Sequence, residues 1–281
     1  MDDVPFIGSE ALALGRLTRH ELRRFHKAVL PDVYLDRRTE PSLRQRTESA
    51  WLWTHREGVV AGLAAAALHG SAWIDDDVPI ELIWRNARTP PGVVTRADTL
   101  FVGETETFDG LPVTTPARTA FDLGRRGPLT GAVARLDALL RATDLSIADI
   151  HALAAGHRHT RGLRQLERAL ALADAGAESP KETWLRLLLI RHGFPRPRTQ
   201  IPVPAPDGYT TYYLDMGWED LKVAAEYDGD HHRTTKDRYA YEIRRAEDIA
   251  AAGWLVVRVV ARTPELDVIR RTERAWRLRT R

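Results

Sequence analysis

Two neighbouring stretches decide how this sequence folds: Leu214-Asp215-Met216-Gly217-Trp218 and Val223-Ala224-Ala225-Glu226-Tyr227-Asp228-Gly229-Asp230-His231-His232. Both are aromatic and apolar enough to be buried strands, yet Asp215 lies inside the first, and Glu226 and Asp228 close the second. A carboxylate in the body of a buried strand is costly unless it is paired or binds a metal. Side chains alternate along a strand, so Glu226 and Asp228 share a face with Ala224. A hairpin joining the two strands brings Asp215 beside Glu226. Two carboxylates a few ångströms apart do not both stay ionised cheaply, and a hard divalent cation relieves that repulsion. Mg²⁺ takes one or two carboxylates plus waters and substrate phosphate oxygens at about 2.1 Å.

Working outward, Ser179-Pro180-Lys181-Glu182 starts a helix carrying Trp184, Leu187, Leu188 and Ile190, which Gly193 ends and Pro195 and Pro197 do not let continue. Strands are expected over 199–203, 211–217 and 221–227. A helix over 236–251 follows, with Tyr239, Ile243, Ala246 and Ile249 on one stripe, then the apolar strand Trp254 to Val260. The order helix, three strands, helix, strand predicts an α/β unit. Its last strand joins by a crossover to give a mixed sheet flanked by helices.

The grammar differs before Ala175-Gly176-Ala177. Thr18-Arg19-His20-Glu21 has capping-box spacing, Pro31-Asp32 is a turn and Val33-Tyr34-Leu35 a short strand. A compact winged helix reads this way, and so does a bare amphipathic helix with a hairpin. Val59 to Leu68 reads as a buried helix, and Pro79 to Trp84 alternates as a strand. Strands are expected from Val93 toward Phe101-Val102, and Asp109-Gly110 is a turn. From Thr115-Pro116 to about 175 the spacing is helical, apart from the polar Gly156-His157-Arg158-His159, where His-x-His has no further metal ligand nearby. The chain thus divides into a winged-helix-like head (1–57), an α+β region with a helical end (58–176) and the α/β unit (177–281).

Composition narrows the function. The 281 residues carry a net charge of only +2, so there is no steep global basic field. The sign is uneven, because residues 233–281 hold 13 Lys and Arg against 7 Asp and Glu. The basic tail Arg270 to Arg281, with Trp276, suits phosphate neutralisation, and reads more plainly as a solvated terminal helix. Cysteine is absent, which excludes disulfides, thiolate metal sites and Cys nucleophiles. There is no apolar run of membrane-spanning length, and Met1-Asp2-Asp3 opens no secretory signal, so a cytoplasmic location is expected.

From Ser179 to about Val260 the sequence resembles the PD-(D/E)XK nuclease superfamily, in the branch of very-short-patch-repair endonucleases and the DUF559 domain. The likeness rests on Ser179-Pro180-x-Glu182, Gly193-Phe194-Pro195 with Gln200, Asp215-x-x-Trp218, Glu226-x-Asp228-Gly229 with His231-His232, Arg244, and Gly253-Trp254 with Arg258. The resemblance implies Asp215 as the motif aspartate, Glu226 as the second metal-binding acid and Glu182 as the helix-borne acid, with Mg²⁺ or Mn²⁺ as cofactor. The Tyr227 carbonyl would complete the metal set. It would put Lys two residues after Glu226, where this chain has Asp228, a residue placed to bind a second cation or orient a water. Proton transfer then falls to His231 or His232, whose ordinary pKa suits it. Glu182 is explained as fully by a capping box with Ser179. Arg238, Arg244 and Arg245 would contact phosphate or form a solvated helix face. The implied activity is hydrolysis of DNA phosphodiesters, most naturally in duplex DNA, in repair or defence.

The earlier region resembles the AbiEi-type antitoxins. The likeness runs over Leu17-Thr18-Arg19-x-Glu21-Leu22, Val33-Tyr34, Ala64-Ala65 with Leu68-His69-Gly70, and Asp109-Gly110-Leu111-Pro112-Val113-Thr114-x-Pro116-Ala117-Arg118-Thr119-x-x-Asp122-Leu123. It implies a DNA-binding head and a partner protein in a toxin–antitoxin or defence system. The alternative to the nuclease is therefore a DNA-binding antitoxin-type regulator whose nuclease fold is inactive.

Overall fold

The computed structural model describes residues 4–85, 88–229 and 236–280. In chain order, β1 (Phe6–Ile7), α1 (Gly8–Ala13), α2 (Arg19–Phe25), β2 (His26–Leu30), β3 (Val33–Asp36) and α3 (Leu43–Trp53) come first. Next are β4 (Val59–Ala61), α4 (Gly62–Leu68), β5 (Ile80–Ile83), β6 (Val93–Arg96), β7 (Thr105–Phe108), β8 (Leu111–Thr114) and α5 (Pro116–Gly124). The helices α6 (Leu129–Ala142), α7 (Ile147–Gly156) and α8 (Leu163–Leu172) follow. The last stretch holds α9 (Pro180–Arg191), β9 (Arg198–Pro204), β10 (Thr211–Trp218), β11 (Val223–Asp228), α10 (Lys236–Ala251), β12 (Leu255–Val260) and α11 (Glu265–Arg279). Helices and three sheets mix throughout the described residues, and none of these helices is long and apolar enough to cross a membrane.

The chain forms two compact units, Met1–Gly127 with Ala142–Arg168, and Pro128–Arg141 with Ala169–Arg281. In the first unit, β1, β3 and β2 form a small antiparallel sheet in that order. The Thr18 hydroxyl caps α2 by accepting from the Glu21 N–H, while Glu21 accepts from the Thr18 N–H at 2.8 Å. The larger sheet runs β6-β5-β4-β8-β7, parallel at β4–β8 and β5–β6. Val59–Ala61 forms a strand of this sheet rather than the start of a helix; β-branched Val59 and Val60 pair with Ile83 and Leu82, and α4 begins only at Gly62, where φ is +61°. Phe101 and Val102 lie outside any strand. Asp109-Gly110 turns the β7–β8 hairpin with both residues at positive φ, the combination a tight two-residue turn requires.

In the second unit the sheet order is β12-β11-β10-β9, antiparallel except for the crossover strand β12, which is parallel to β11. Leu185, Leu188 and Leu189 of α9 pack with Val223, Ala225 and Val257 of the sheet and with Val268 and Ile269 of α11. The other face carries Leu214, Ala224, Ile249 of α10 and Trp254. Gly217 lies opposite Ala224, and a Cβ there would sit 2.9 Å from the Ala224 Cα. Only glycine allows β10 and β11 this approach. The helix α6 belongs to this unit although the segment Ala142–Arg168 of the first unit intervenes, because Asp137 is buried against Arg186 of α9 at 2.6 Å.

Candidate functional site

The site is built by α9, β10, β11 and α10. Met216 pairs with Ala225, which sets Asp215 opposite Glu226, and the Tyr227 N–H donates to Asp215 Oδ2 at 2.8 Å. Leu214 packs toward α10 and Met216 toward α9, so the strand changes face across Asp215. Gln200, opposite Asp215 in the register with β9, has φ of +49°. Glu182, on the first turn of α9, is 9% exposed and Glu226 is 7% exposed.

Burial pushes the Asp215 carboxyl up to about 7, and the negative charges of Glu182 and Glu226 push the same way against the Tyr227 N–H and Arg245. Glu182 is also raised, chiefly by burial, despite hydrogen bonds from the Glu178 N–H at 2.8 Å and the Ser179 hydroxyl at 2.9 Å. Glu226 faces Arg245, whose Nη1 and Nη2 donate one to each carboxylate oxygen, the first at 3.3 Å. The same Nη2 donates to the Tyr213 carbonyl at 2.8 Å, and Arg258 Nε is 3.9 Å from Glu226. Burial alone would depress the Arg245 guanidinium, but its bond to Glu226 and the surrounding carboxylates hold it above its ordinary value.

The structure therefore sets Asp215 opposite Glu226, with Glu182 near enough to add its charge to the field at Asp215, and adds Arg245, which was expected on phosphate or on a solvated helix face. Ile243, expected on the buried stripe of α10, is 45% exposed, whereas Arg245 turns to the sheet. Tyr227 packs edge-on to Trp184 with ring centroids 6.4 Å apart. Asp228 ends β11 half-buried, and Arg244 is exposed. Arg238 lies on α10, and its side chain is outside the described residues, as are His231 and His232 altogether. Lys222 donates to the Ala252 carbonyl at 2.9 Å, away from the acids' partners.

Among the described residues, the two glutamates of the cluster already have other partners. Both Glu182 oxygens accept from the start of α9, and both Glu226 oxygens accept from Arg245. Among the described residues no group of three His, Asp or Glu side chains is placed to hold a metal. What remains is a buried carboxyl cluster in which Arg245 pairs with Glu226.

The first unit holds a second polar cluster that the sequence reading missed. Arg118, 1% exposed, donates to Asp122 at 2.9 Å, to the Thr99 carbonyl at 2.7 Å and to Glu104. Glu104 also bonds His157. Burial opposes the Glu104 charge, but the bonds from His157, the Phe101 N–H and Arg118 keep its pKa below the ordinary value. The i,i+4 spacing of Arg118 and Asp122 was the available signal.

Comparison with known proteins locates this cluster. Residues 59–174 match the AbiEi antitoxin C-terminal domain family. Two uncharacterized Mycobacterium tuberculosis proteins, Rv2248 of strain H37Rv and MT2308 of strain CDC 1551, are each 28% identical over 221 residues, covering 79% of this chain and 81% of theirs. The crystal structure of the Rv2827c protein from Mycobacterium tuberculosis aligns with a TM-score of 0.40 at 19% identity, over 73% of this chain and 84% of that one.

Proposed function

We propose that the protein is an antitoxin-type DNA-binding regulator whose C-terminal unit is an inert relative of the PD-(D/E)XK nucleases. The observation that carries this reading is the antitoxin-family match over residues 59–174. Two features agree with it. Residues 16–38 hold seven Lys and Arg against three Asp and Glu, and Arg19, Arg23 and Arg24 are exposed on α2. Two short helices followed by a hairpin, with β1 added to its second strand, is the order a winged helix uses. In the C-terminal unit, Arg245 closes Glu226. The partner would be a toxin protein neutralised in the cytoplasm, and the ligand of the head a duplex operator.

The test is selection from a random duplex pool in EDTA, alongside capture of partners by the tagged full-length protein in its own cells. A defined duplex retained in EDTA and a stoichiometric partner are expected. Neither appearing refutes the reading.

A second reading, a metal-dependent DNA endonuclease, is favoured by one observation: Asp215 sits close enough to Glu182 and Glu226 for both to raise its pKa. Supercoiled plasmid with Mg²⁺ or Mn²⁺ separates the two. The regulator leaves it intact, whereas nicking that Asp215→Ala and Glu226→Ala abolish would replace the regulator by the enzyme.

A further inference from the structure

Below the buried Arg118 cluster the first unit opens a cavity of about 420 Å³, lined by four arginines against a single acid, Asp98. Arg118 and the 8%-exposed His157 form its floor. Its rim is the loop Gly156-His157-Arg158-His159-Thr160-Arg161-Gly162, fixed at Gly162, where φ is +94° and any Cβ would strike the Arg125 backbone. Arg158, His159 and Arg161 are exposed there, and the one hydrogen bond of Arg158 given by the structure runs from Nε to the Ala155 carbonyl. Among the described residues neither Arg158 nor Arg161 has an acidic partner. At the mouth Phe101 leans on His157, ring centroids 4.7 Å apart, and remains 50% exposed.

We infer that this cavity is a binding site for a nucleoside phosphate, with its phosphates on Arg158 and Arg161 and its base against Phe101. Unpaired guanidinium groups are the side chains that bind phosphate in fork geometry. An exposed aromatic ring beside them supplies the planar apolar surface a base stacks on. The volume is that of a small-ligand pocket, not of a groove for duplex. The floor is rigid, since Arg118 is held by Asp122, Glu104 and the Thr99 carbonyl, and His157 is held by Glu104. The paired acids compensate Arg118 internally, so the rim arginines carry the uncompensated positive charge. This inference uses no part of the acidic cluster in the other unit and stands independently of the regulator reading.

Calorimetric titration of the full-length protein with ATP and GTP, adenosine, inorganic phosphate and a 5′-phosphorylated oligonucleotide tests it. Saturable 1:1 binding of a nucleoside triphosphate is expected, weakened about tenfold or more by Arg158→Ala/Arg161→Ala. Phe101→Ala should weaken the nucleotide and leave inorganic phosphate unchanged, and Arg164→Ala, exposed on the next helix, should change nothing. Circular dichroism confirms that each variant is folded. Absence of nucleotide binding up to millimolar concentration overturns the inference. So does equal affinity in the rim variants, equal affinity for inorganic phosphate alone, or binding of the oligonucleotide without the free nucleotide.

Discussion

Arg245 of α10 holds both carboxylate oxygens of Glu226, 19 residues earlier on β11. Removing one partner of a buried pair leaves the other charged and unsolvated. Arg245→Met should therefore destabilise the protein by about 3 kcal/mol. Glu226→Gln together with Arg245→Met should restore most of that. Urea denaturation of the two single variants and the double variant measures the coupling, and additive losses would show that the pair does not act as one unit.

Asp215 makes stability depend on pH. Its folded pKa is about 7 against an ordinary 3.8, so between those values the folded state binds a proton that the unfolded chain has released. Stability is then fullest at or below the unfolded value and falls as pH rises toward 7. Asp215→Asn keeps an oxygen for the Tyr227 N–H and removes the charge. It should raise the Tm at pH 8, by at most about 4 kcal/mol in free energy, and leave it nearly unchanged at pH 4. An equal gain at both pH values would mean that ionisation of Asp215 is not the cause.

Asp137 and Arg186 tie α6 to α9, and Asp137 also accepts from the Thr183 hydroxyl and the Asp174 N–H, both at 2.7 Å. Asp137→Ala leaves a fully buried guanidinium without its acid, a loss of about 3–5 kcal/mol. Chemical denaturation should show it as a lower midpoint, and protection of α6 amides from hydrogen exchange should fall with it.

Arg23 and Arg24 are exposed on α2. If the head grips duplex DNA through them, Arg23→Ala/Arg24→Ala weakens binding to every sequence alike. The slope of log K against log salt should become shallower by about 2. A slope unchanged by both substitutions would place the DNA contact elsewhere.

Much of the architecture was legible because it depends on local chemistry. The caps at Thr18, Thr115 and Ser179, the Asp109-Gly110 turn and the apolar run ending at Val260 each announce an element within a few residues. The convergence of Asp215 and Glu226 also followed, since a hairpin with Gly217 at its close approach leaves little choice of register. Val59–Ala61 did not, because a short apolar run suits helix and strand alike and only pairing with Ile83 and Leu82 decides. Arg245 was hidden for a different reason. The apolar spacing on α10 puts Ile243 on the inward stripe, and the charge of Glu226 outweighs that pattern by drawing in the cation two residues along. Likewise, nothing near Asp137 in sequence identifies Arg186 as its counter-ion.

The threading of α6 has a consequence for how the protein is made. Ribosomal synthesis delivers α6 before α7 and the start of α8, which finish the first unit, and before α9 emerges with Arg186. The nascent helix must therefore wait with Asp137 and its apolar side unsheltered while its downstream partner is translated, so the interval in which chaperones can bind it is written into the order of the gene.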